Sequence, residues 1–410
     1  MLKKSAARYA DKIFLNKFLS LPIFIFIMGF IFYATFHWTD VYLKENLASL
    51  IYNATKLLSD HMTAHHVNPL IHSLVIDGLC TGIGSVLAFI PTIGTLFFFL
   101  STLEESGYIY RAAYIMNRPM RFLGLPGEAI IPMISGFGCS VPAIMAASRL
   151  SSDNDRKLTI AMIPFMSCSA KLPIYVIFAE VFFPRNETAA VACIYFSGIF
   201  ISLLYALVLK RVFYGRKGIP SSYMVPLPAS LPPYKIPSPR TVFRCVWVNI
   251  KNFIKKAFTV ILIASIVVWV LQNFDSHMNK ALSSGTSMLA DMGKFLAPVF
   301  EPLGFGDWRA VSSVITGFSA KESIIGTLSI LSETMAEDSL SDTLTQIFSP
   351  LSAFSFMIFS LLYVPCITSL IAVKNALGGW RYSVYMLVFQ TLLAWIAAFL
   401  VFNIGRLMGF

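Results

Sequence analysis

The chain has 410 residues, of which 56% are hydrophobic and 13% are charged, with a formal net charge of +11 and a mean hydropathy of +0.70. This composition excludes a soluble domain and indicates an integral membrane protein. The positive charge does not indicate nucleic-acid binding, because the basic residues lie in loops beside apolar segments. Six cysteines are scattered without paired spacing, which argues against a disulfide framework.

A basic segment precedes the first apolar run. Residues 1–17 carry five Lys and Arg, and Phe18–Phe36 is long enough for the roughly 20 helical residues that cross a bilayer core. No small-residue cleavage site follows, so we expect a retained first span and a cytoplasmic N-terminus.

Eight further apolar segments are candidate spans. A basic, Pro-rich linker at 210–256, with ten Lys and Arg and no Asp or Glu, separates the fifth span from the sixth. We therefore expect an N-terminal connector (1–17), a first membrane half (18–209), this linker and a second half (257–410). The eight segments are Ile83–Leu103, Ala129–Ala147, Leu158–Phe183, Ala189–Leu209, Phe253–Gln272, Ala310–Leu331, Ala353–Val373 and Ser383–Phe402.

The positions of the basic segments indicate that one apolar segment of the first half does not cross the membrane. Five crossings would place the linker opposite the equally basic N-terminus. Ala129–Ala147 and Leu158–Phe183 each carry two prolines, so they are the best candidates for re-entrant or discontinuous helices. Four net crossings then lie on each side of the linker, which gives about eight transmembrane helices and two cytoplasmic termini.

A weak internal repeat supports this arrangement. Leu123-Gly124-Leu125 followed by Gly136-Phe137 resembles Leu303-Gly304-Phe305 followed by Gly317-Phe318. If the two copies have opposite orientation, the chain has the inverted-repeat plan of secondary transporters, with broken helices at the substrate path. Chance similarity between Leu- and Gly-rich membrane segments is the alternative. The predicted fold class is an all-α polytopic membrane protein with two inverted repeats.

Two cysteines lie between helix-breaking residues. Cys139 stands between Gly138 and Pro142, and Cys168 lies between Pro164 and Pro173. A single buried thiol is usually an inert small hydrophobe, which is the structural alternative. Beside a helix interruption, however, a half-helix terminus favours thiolate, and thiolate and thioether ligands suit Fe(II), Cu(I) and Zn(II). Candidate path residues are therefore Cys139, Cys168, Met166 and, beside a single breaker, Cys366.

Charged side chains within apolar segments are the other candidates. Lys321 and Glu322 cost roughly 2.5 to 3.5 kcal/mol each at a span centre, so function is the default hypothesis for Glu322, with Lys321 as partner or gating charge. Snorkelling to the interface is the alternative. Lys171 either balances a negative charge or snorkels. Glu104 and Glu105 are either a carboxylate pair that receives a cation or solvated interface charges.

The segment Trp38–Gly82 is predicted to be an outer loop that carries four histidines. His61 and His65 are four residues apart, which in a helix would place two imidazoles on one face and allow metal chelation. Solvated histidines on an amphipathic helix are the favoured alternative.

The sequence contains none of the catalytic motifs that are typical of soluble enzymes. We find no nucleophile elbow, no zinc-protease motif, no C-x-x-C and no phosphate-binding loop. We therefore expect a transporter and not an enzyme, with no permanently bound cofactor.

Five motifs carry a resemblance to a known family, and together they cover nearly the whole chain. Their sequences, and their order along the chain, resemble those of the membrane part of the FeoB ferrous iron transporters. The motifs are Leu103–Tyr108, Gly136–Ile144, Pro164–Pro173, Gly317–Glu322 and Leu362–Cys366.

The resemblance implies two gate repeats around a path for Fe²⁺, the transported substrate, lined by thiols at Cys139 and Cys168. Family members usually have Asn at the position of Ser140 and often Arg at that of Lys171, so the polar contacts near each thiol, including those of Ser169, differ here. It also implies a bacterial inner-membrane location, a GTPase and a small SH3-like accessory protein as partners beside the lipid bilayer, and a homo-oligomer as one possible assembly. The GTP-binding domain is absent from these 410 residues, so we expect a separate GTPase or a degenerate copy, and no intrinsic GTPase activity.

Other functions stay open at this point. A gate-type carrier of a nucleoside or of Mn(II) or Zn(II) is the nearest alternative, although Ser140 and Ser169 offer few hydrogen bonds for a nucleoside. A non-transporting scaffold that recruits a GTPase through the basic linker is another. A membrane enzyme with a cysteine nucleophile is the least favoured, since no His lies beside either thiol in the sequence.

Overall fold

The computed structural model describes residues 11–12, 14–16, 19–214, 233–277, 279–281, 283–331 and 337–409. Their secondary structure is helical apart from an isolated bridge between Phe274 and Lys280, which confirms the predicted all-α fold. The contacts divide the chain into two compact units. Unit 1 comprises Met1–His61, Ile83–Ile163 and Ser202–Phe258, and unit 2 comprises Met62–Gly82, Pro164–Ile201 and Thr259–Phe410.

The described chain contains both short helices and helices of up to 35 residues. π-Helical turns occur at Ala34–Lys44 and Leu74–Cys80, and 3₁₀ turns at Gly127–Ala129, Ile163–Phe165, Ser169–Lys171, Ser284–Thr286 and Glu301–Leu303. The α-helices are α1 (Ser20–Tyr33), α2 (Glu45–Ala64), α3 (Pro69–Ser73), α4 (Thr81–Ala88), α5 (Ile90–Ser106), α6 (Tyr108–Leu123), α7 (Ile130–Gly138), α8 (Ser140–Ala147), α9 (Asp153–Met162), α10 (Leu172–Phe182), α11 (Glu187–Tyr214), α12 (Pro239–Asn273), α13 (Met288–Phe300), α14 (Trp308–Thr316), α15 (Ser323–Leu331), α16 (Glu337–Ile347), α17 (Pro350–Leu362), α18 (Ile367–Leu377) and α19 (Trp380–Leu407).

Seven helical stretches of the described chain are long and apolar enough to cross a membrane, and each overlaps one of the nine predicted spans. The two predicted spans without a counterpart are Ala129–Ala147 and Ala310–Leu331. Each is instead a pair of short helices separated by an interruption, α7 with α8 and α14 with α15. The chain is therefore a multi-pass membrane protein, and each of these two segments is a pair of short helices and not one continuous helix.

The predicted outer segment Trp38–Gly82 is helical, in agreement with the favoured interpretation of its histidines as part of an amphipathic helix. Helix α2 is amphipathic and has no buried residue, so it was not among the apolar spans that hydropathy predicts. The short helix α3 starts where Asn68 accepts a hydrogen bond from the Leu70 backbone N–H at 3.0 Å and Pro69 occupies the first turn.

The predicted linker 210–256 is helical at both of its ends. Helix α11 continues to Tyr214, and α12 begins at Pro239, a residue well suited to a first helical turn. Residues 215–232 of this linker lie outside the described residues.

The two copies of the predicted repeat share one local element order. Gly124 (φ +81°) and Gly304 (φ +89°) both end a helical turn in the left-handed conformation. In each copy a short helix, an interruption and a second short helix follow. Such a backbone favours glycine, which explains why Leu-Gly-apolar recurs. The neighbouring side chains at 123, 125, 303 and 305 are all buried.

Each unit has its own core. In unit 1, Leu125, Ala129, Ile144 and Leu158 are fully buried. In unit 2 the core is aromatic. Phe178 stacks on Phe356 with ring centroids 5.1 Å apart, and Phe305 meets the same Phe356 ring edge-on at 5.3 Å. These rings join α10, α17 and the segment after Gly304, and they support the helix interruptions described next.

Candidate functional site

Three helix interruptions of unit 2 lie against one another. The first precedes α10, the second (317–322) separates α14 from α15, and the third (363–366) separates α17 from α18. The backbone N–H of Ile367 donates to the Phe318 carbonyl at 3.1 Å and joins the second to the third. Interrupted helices leave backbone groups without helical partners, so these groups need other donors and acceptors.

Two buried lysines supply those donors. Lys171 Nζ donates to the Leu361 carbonyl at 2.6 Å, and Lys321 Nζ donates to the Val364 carbonyl at 2.8 Å. Each lysine is only 3% exposed. The Lys321 ammonium also lies 3.1 Å from the centroid of the Tyr363 ring, a cation–π contact. Both positive charges thus lie at the C-terminal end of α17, where the helix dipole favours cations.

Two thiols lie beside these charges. Cys168 has an extended backbone ahead of the Ser169–Lys171 turn and lies within electrostatic range of Lys171, Lys321 and Cys366. Cys366 precedes α18, and its Sγ lies 2.9 Å from Thr368 Oγ1 and 3.3 Å from Ser369 Oγ. We call Cys168, Lys171, Lys321, Tyr363 and Cys366 the break cluster.

Other predicted site residues of unit 2 flank the break cluster in sequence. Met166 is 3% exposed, two residues before Cys168, and Ser169 follows that thiol. Glu322 follows Lys321 and is partly exposed. The structure therefore brings four predicted site residues together at the break cluster, namely Cys168, Lys171, Lys321 and Cys366.

The first predicted thiol lies in unit 1. Cys139 separates α7 from α8 in an extended conformation (φ −156°, ψ 130°), and its backbone N–H donates to the Ser135 carbonyl at 3.0 Å. Cys139 is partly buried, and Ser140, at the start of α8, is 8% exposed. The interruption expected at this thiol is confirmed, and its role in a metal path stays a prediction.

The two predicted carboxylates of α5 have different surroundings. Glu104 is exposed and lines a cavity of about 400 Å³ in unit 1, together with Arg149 and Arg244. Glu105 is partly buried, and its Oε2 lacks a hydrogen-bond partner within the described part of the chain. Glu105 is not among the residues that line the cavity, and the role of the two carboxylates as a cation-receiving pair stays a prediction.

Within the described residues, no three or more His, Cys, Asp and Glu side chains group together as a metal centre. The histidines of the predicted loop therefore form no such centre in those residues. At the break cluster the soft ligands are two thiols, so a metal ion would complete its coordination with carbonyls, hydroxyls or water.

The sequence analysis missed the partners of the lysines. Tyr363, 3% exposed, supplies the aromatic face, and the carbonyls of Leu361 and Val364 supply the acceptors. The available signal was Pro365, since a proline removes a helical N–H and frees a carbonyl one turn earlier. Two further buried hydroxyls near Cys168 in sequence, those of Ser167 and Tyr175, also escaped notice.

Comparisons with known proteins identify the family of the chain. A family model described as "Gate: Nucleoside recognition" matches residues 86–182 and 254–380, which include all four interruptions. The chain is 38% identical over 97% of its length to a protein named Fe(2+) transporter FeoB from Staphylococcus aureus (strain MSSA476), and 38% identical over 86% to the protein of that name from Methanocaldococcus jannaschii. It is also 32% identical over 97% to a protein named Fe(2+) transport protein A/Fe(2+) transporter FeoB fusion protein from Porphyromonas gingivalis.

The chain spans 59%, 52% and 51% of the lengths of these three relatives. The resemblance to the membrane part of the FeoB transporters is therefore confirmed over nearly the whole chain. No solved structure matches the chain.

Proposed function

Because the chain belongs to the Gate (nucleoside recognition) family, we propose that it is a membrane permease whose helix interruptions bind and pass a metal ion, and that the ion is Fe²⁺. The observation that carries the proposal is the break cluster. Two ammonium groups donate to the carbonyls at the end of an interrupted helix, and the thiols of Cys168 and Cys366 belong to the adjoining interruptions, an arrangement that resembles the midplane sites of transporters.

The thiols are the proposed ligands of the passing ion. Cys168 and Cys366, with Met166 nearby, offer soft sulfur donors that suit Fe²⁺ better than Mg²⁺ or Ca²⁺. In unit 1, Cys139 offers the same chemistry beside Ser140. Glu322 supplies a carboxylate next to the second interruption. The name shared by the relatives, Fe(2+) transporter, supports Fe²⁺ as the cargo.

The two lysines are the proposed gating groups. Each ammonium donates to a carbonyl that a passing cation would otherwise contact, and each places a positive charge near the thiols. An incoming divalent cation must therefore displace or outcompete Lys171 and Lys321. This competition keeps the site closed to weakly bound cations and releases Fe²⁺ once it has passed.

Uptake of iron-55 into proteoliposomes tests this proposal. We expect the combined substitution of Cys139→Ser and Cys168→Ser to lower uptake about tenfold or more, since even indirect ligand partners contribute that much. The control is Cys193→Ser, because Cys193 is exposed on α11. Unchanged uptake in the double variant would reject the thiols as ligands.

Parallel assays separate the alternative cargoes. Uptake of Mn²⁺ or Zn²⁺ in place of Fe²⁺ would reassign the metal. Uptake of a labelled nucleoside would favour a nucleoside carrier, as the family description "nucleoside recognition" suggests. The break cluster argues against a nucleoside, because it contains no amide or carboxylate side chain to pair with a base. Partner binding without uptake of any solute would indicate a scaffold.

We further propose a bacterial inner-membrane location with cytoplasmic termini, a separate GTPase and a small accessory protein. The fusion of Fe(2+) transport protein A to a FeoB protein in the P. gingivalis relative supports the accessory partner. A pull-down from membranes that carry the tagged chain, with guanine-nucleotide hydrolysis measured on the eluate and on the pure chain, tests both. Hydrolysis by the pure chain would contradict a separate GTPase.

A further inference from the structure

The cavity of unit 1 that contains Glu104 has a charged end and an apolar end. Along one wall, α5, the lining changes from Phe97 to Glu104 near the C-terminus of that helix. Along a second wall it changes from Val141, at the start of α8, to Arg149 just past its end. Along the third wall it changes from Phe253 to Arg244 near the start of α12.

Two of the charged groups, Glu104 and Arg244, lie at the same end of the cavity, and Arg149 lines the same cavity. The backbone N–H of Lys235, four residues before α12, donates to the carbonyl of Ser106 at 3.3 Å, which places the start of α12 beside the end of α5. The apolar end adjoins the interruption at Cys139. A Cβ built on Gly138 would lie 2.5 Å from Leu96, the neighbour of Phe97.

From this arrangement we propose that the cavity binds one phospholipid with an ethanolamine headgroup. Arg149 and Arg244 would bind the phosphodiester, and Glu104 would bind the primary ammonium. An acyl chain would fill the apolar part and end against α7 and α8. The cavity volume of about 400 Å³ fits a headgroup and the first part of a chain.

The carboxylate of Glu104 favours a zwitterionic lipid over an anionic one. Two guanidinium groups alone would favour an anionic lipid, as basic pockets between membrane helices generally do. Glu104 reduces the net charge of the rim to +1 and would repel a second negative group. A zwitterion with one phosphate and one ammonium matches all three charges. Phosphatidylcholine carries the same net charge but lacks N–H donors, so it cannot hydrogen-bond to Glu104.

Native mass spectrometry of the full chain, released from mixed bilayers of phosphatidylethanolamine, phosphatidylglycerol and phosphatidylcholine, tests the proposal. We expect one retained phosphatidylethanolamine. The double variant Arg149→Gln and Arg244→Gln should lower its retention about tenfold or more, at about 1 kcal/mol for each arginine. Glu104→Gln should remove the preference over phosphatidylglycerol while some lipid is still retained.

The control variant is Arg118→Gln, since Arg118 is exposed on α6 of the same unit and does not line the cavity. All substituted side chains are exposed, so the variants should fold. Equal or stronger retention of phosphatidylglycerol by the unsubstituted chain would overturn the proposal. So would an unchanged phosphatidylethanolamine count in the double arginine variant. Iron transport does not enter this measurement, which therefore stands apart from the proposed function.

Discussion

Lys171 and Lys321 differ from ordinary membrane lysines in the direction of their ammonium groups. A lysine near the end of a span usually extends toward water, whereas these two donate inward to the carbonyls of Leu361 and Val364. The desolvation of a buried charge is costly, so each ammonium must regain free energy from its acceptor and, for Lys321, from the Tyr363 ring. The lysines therefore stabilise an interruption that would otherwise expose orphan carbonyls.

The first prediction concerns Lys321. In Lys321→Met the Val364 carbonyl loses its donor, and the unsatisfied buried group should lower the free energy of unfolding by about 1–3 kcal/mol. Thermal or denaturant unfolding in detergent micelles measures this change. If the lysine also competes with the cargo, iron-55 uptake by this variant should reach half-saturation at a lower Fe²⁺ concentration.

Lys321→Arg is the matched control, because it keeps a positive charge and N–H donors at the Val364 carbonyl. We expect it to lose less stability than Lys321→Met. If both variants unfold like the unsubstituted chain, the ammonium does not stabilise the interruption. A higher half-saturating concentration in Lys321→Met would instead make the lysine a group that promotes iron binding.

Residues of this kind show how far sequence reasoning reaches. Charges and thiols inside apolar segments are visible directly, so Cys168, Lys171, Lys321 and Cys366 could all be named as site residues. The hydrogen-bond partners of the two lysines could not be predicted from the sequence. Lys171 and its acceptor Leu361 are 190 residues apart, and Lys321 and its acceptor Val364 are 43 residues apart. Pro365 indicates that a carbonyl one turn earlier is free, but nothing in the sequence shows which side chain donates to it.

At the scale of the elements, glycine marks where each repeat turns. Gly124 and Gly304 have positive φ and occupy the same place in the two copies, at the end of a helical turn before a short broken helix. Local backbone geometry was therefore predictable from Leu-Gly-apolar. The opposite orientation of the copies stays a prediction. The amphipathic helix favoured for the histidine segment is present as α2, although hydropathy alone does not mark it.

The second prediction compares three left-handed glycines. Alanine at any of them costs about 1–2 kcal/mol in backbone strain. At Gly378 nothing lies within 4 Å of a built Cβ, so backbone strain is the only cost of the alanine substitution there. At Gly124 the Cβ would meet the flexible Lys210 chain at 3.1 Å, which can move. At Gly304 it would collide with the ring of Phe402. We expect Gly304→Ala to lower the unfolding temperature most and Gly378→Ala least.

A second substitution checks the cause at Gly304. Combining Gly304→Ala with Phe402→Leu gives the new methyl group room, so the double variant should lose less stability than the two single losses added together. Simple additivity would show that backbone strain, and not the contact with Phe402, limits this turn.

At the scale of the whole chain, distant segments meet at one buried arginine of unit 1. Arg111, 2% exposed on α6, donates from Nε to Asp11 Oδ1 at 3.0 Å and from Nη1 to the Gly107 carbonyl at 2.9 Å. The Tyr234 hydroxyl donates to the same Asp11 oxygen at 3.0 Å, and its ring lies 3.8 Å from the guanidinium carbon. Asp11 belongs to the predicted connector and Tyr234 to the predicted linker, so Arg111 fastens both to α6.

Sequence reasoning could not find this cluster. Arg111 stands in an ordinary amphipathic helix, and its two partners are 100 residues before it and more than a hundred after it. The sequence did indicate that the connector and the linker share one side of the membrane, because both are basic. No local pattern predicts that the two segments meet at Arg111, where Tyr234 also contacts Asp11 directly.

The third prediction is that Arg111 couples energetically to both segments. Arg111→Met should lower the free energy of unfolding by about 1–3 kcal/mol, because the Asp11 carboxylate loses a charged donor. In a double-mutant cycle with Asp11→Asn, we expect a coupling energy of about 0.5–3 kcal/mol. Arg118→Met, an exposed arginine on the same helix, is the control and should show neither effect. A zero coupling energy would mean that the connector is not held by Arg111.

The fourth prediction is a pH dependence of the same cluster. Burial, reinforced by the hydrogen bond to Asp11, raises the pKa of Tyr234 from 10.0 to about 12. A tyrosine whose pKa is raised on folding stabilises the folded chain fully below its unfolded pKa of 10.0, and that stabilisation is lost as the pH rises through about 12. Unfolding free energies measured between pH 9 and 12 should therefore fall more steeply for the unsubstituted chain than for Tyr234→Phe, which has no phenol proton to lose. Equal slopes would show that the Tyr234 hydroxyl contributes nothing to holding the linker on α6, and Arg111 would then fasten the connector alone.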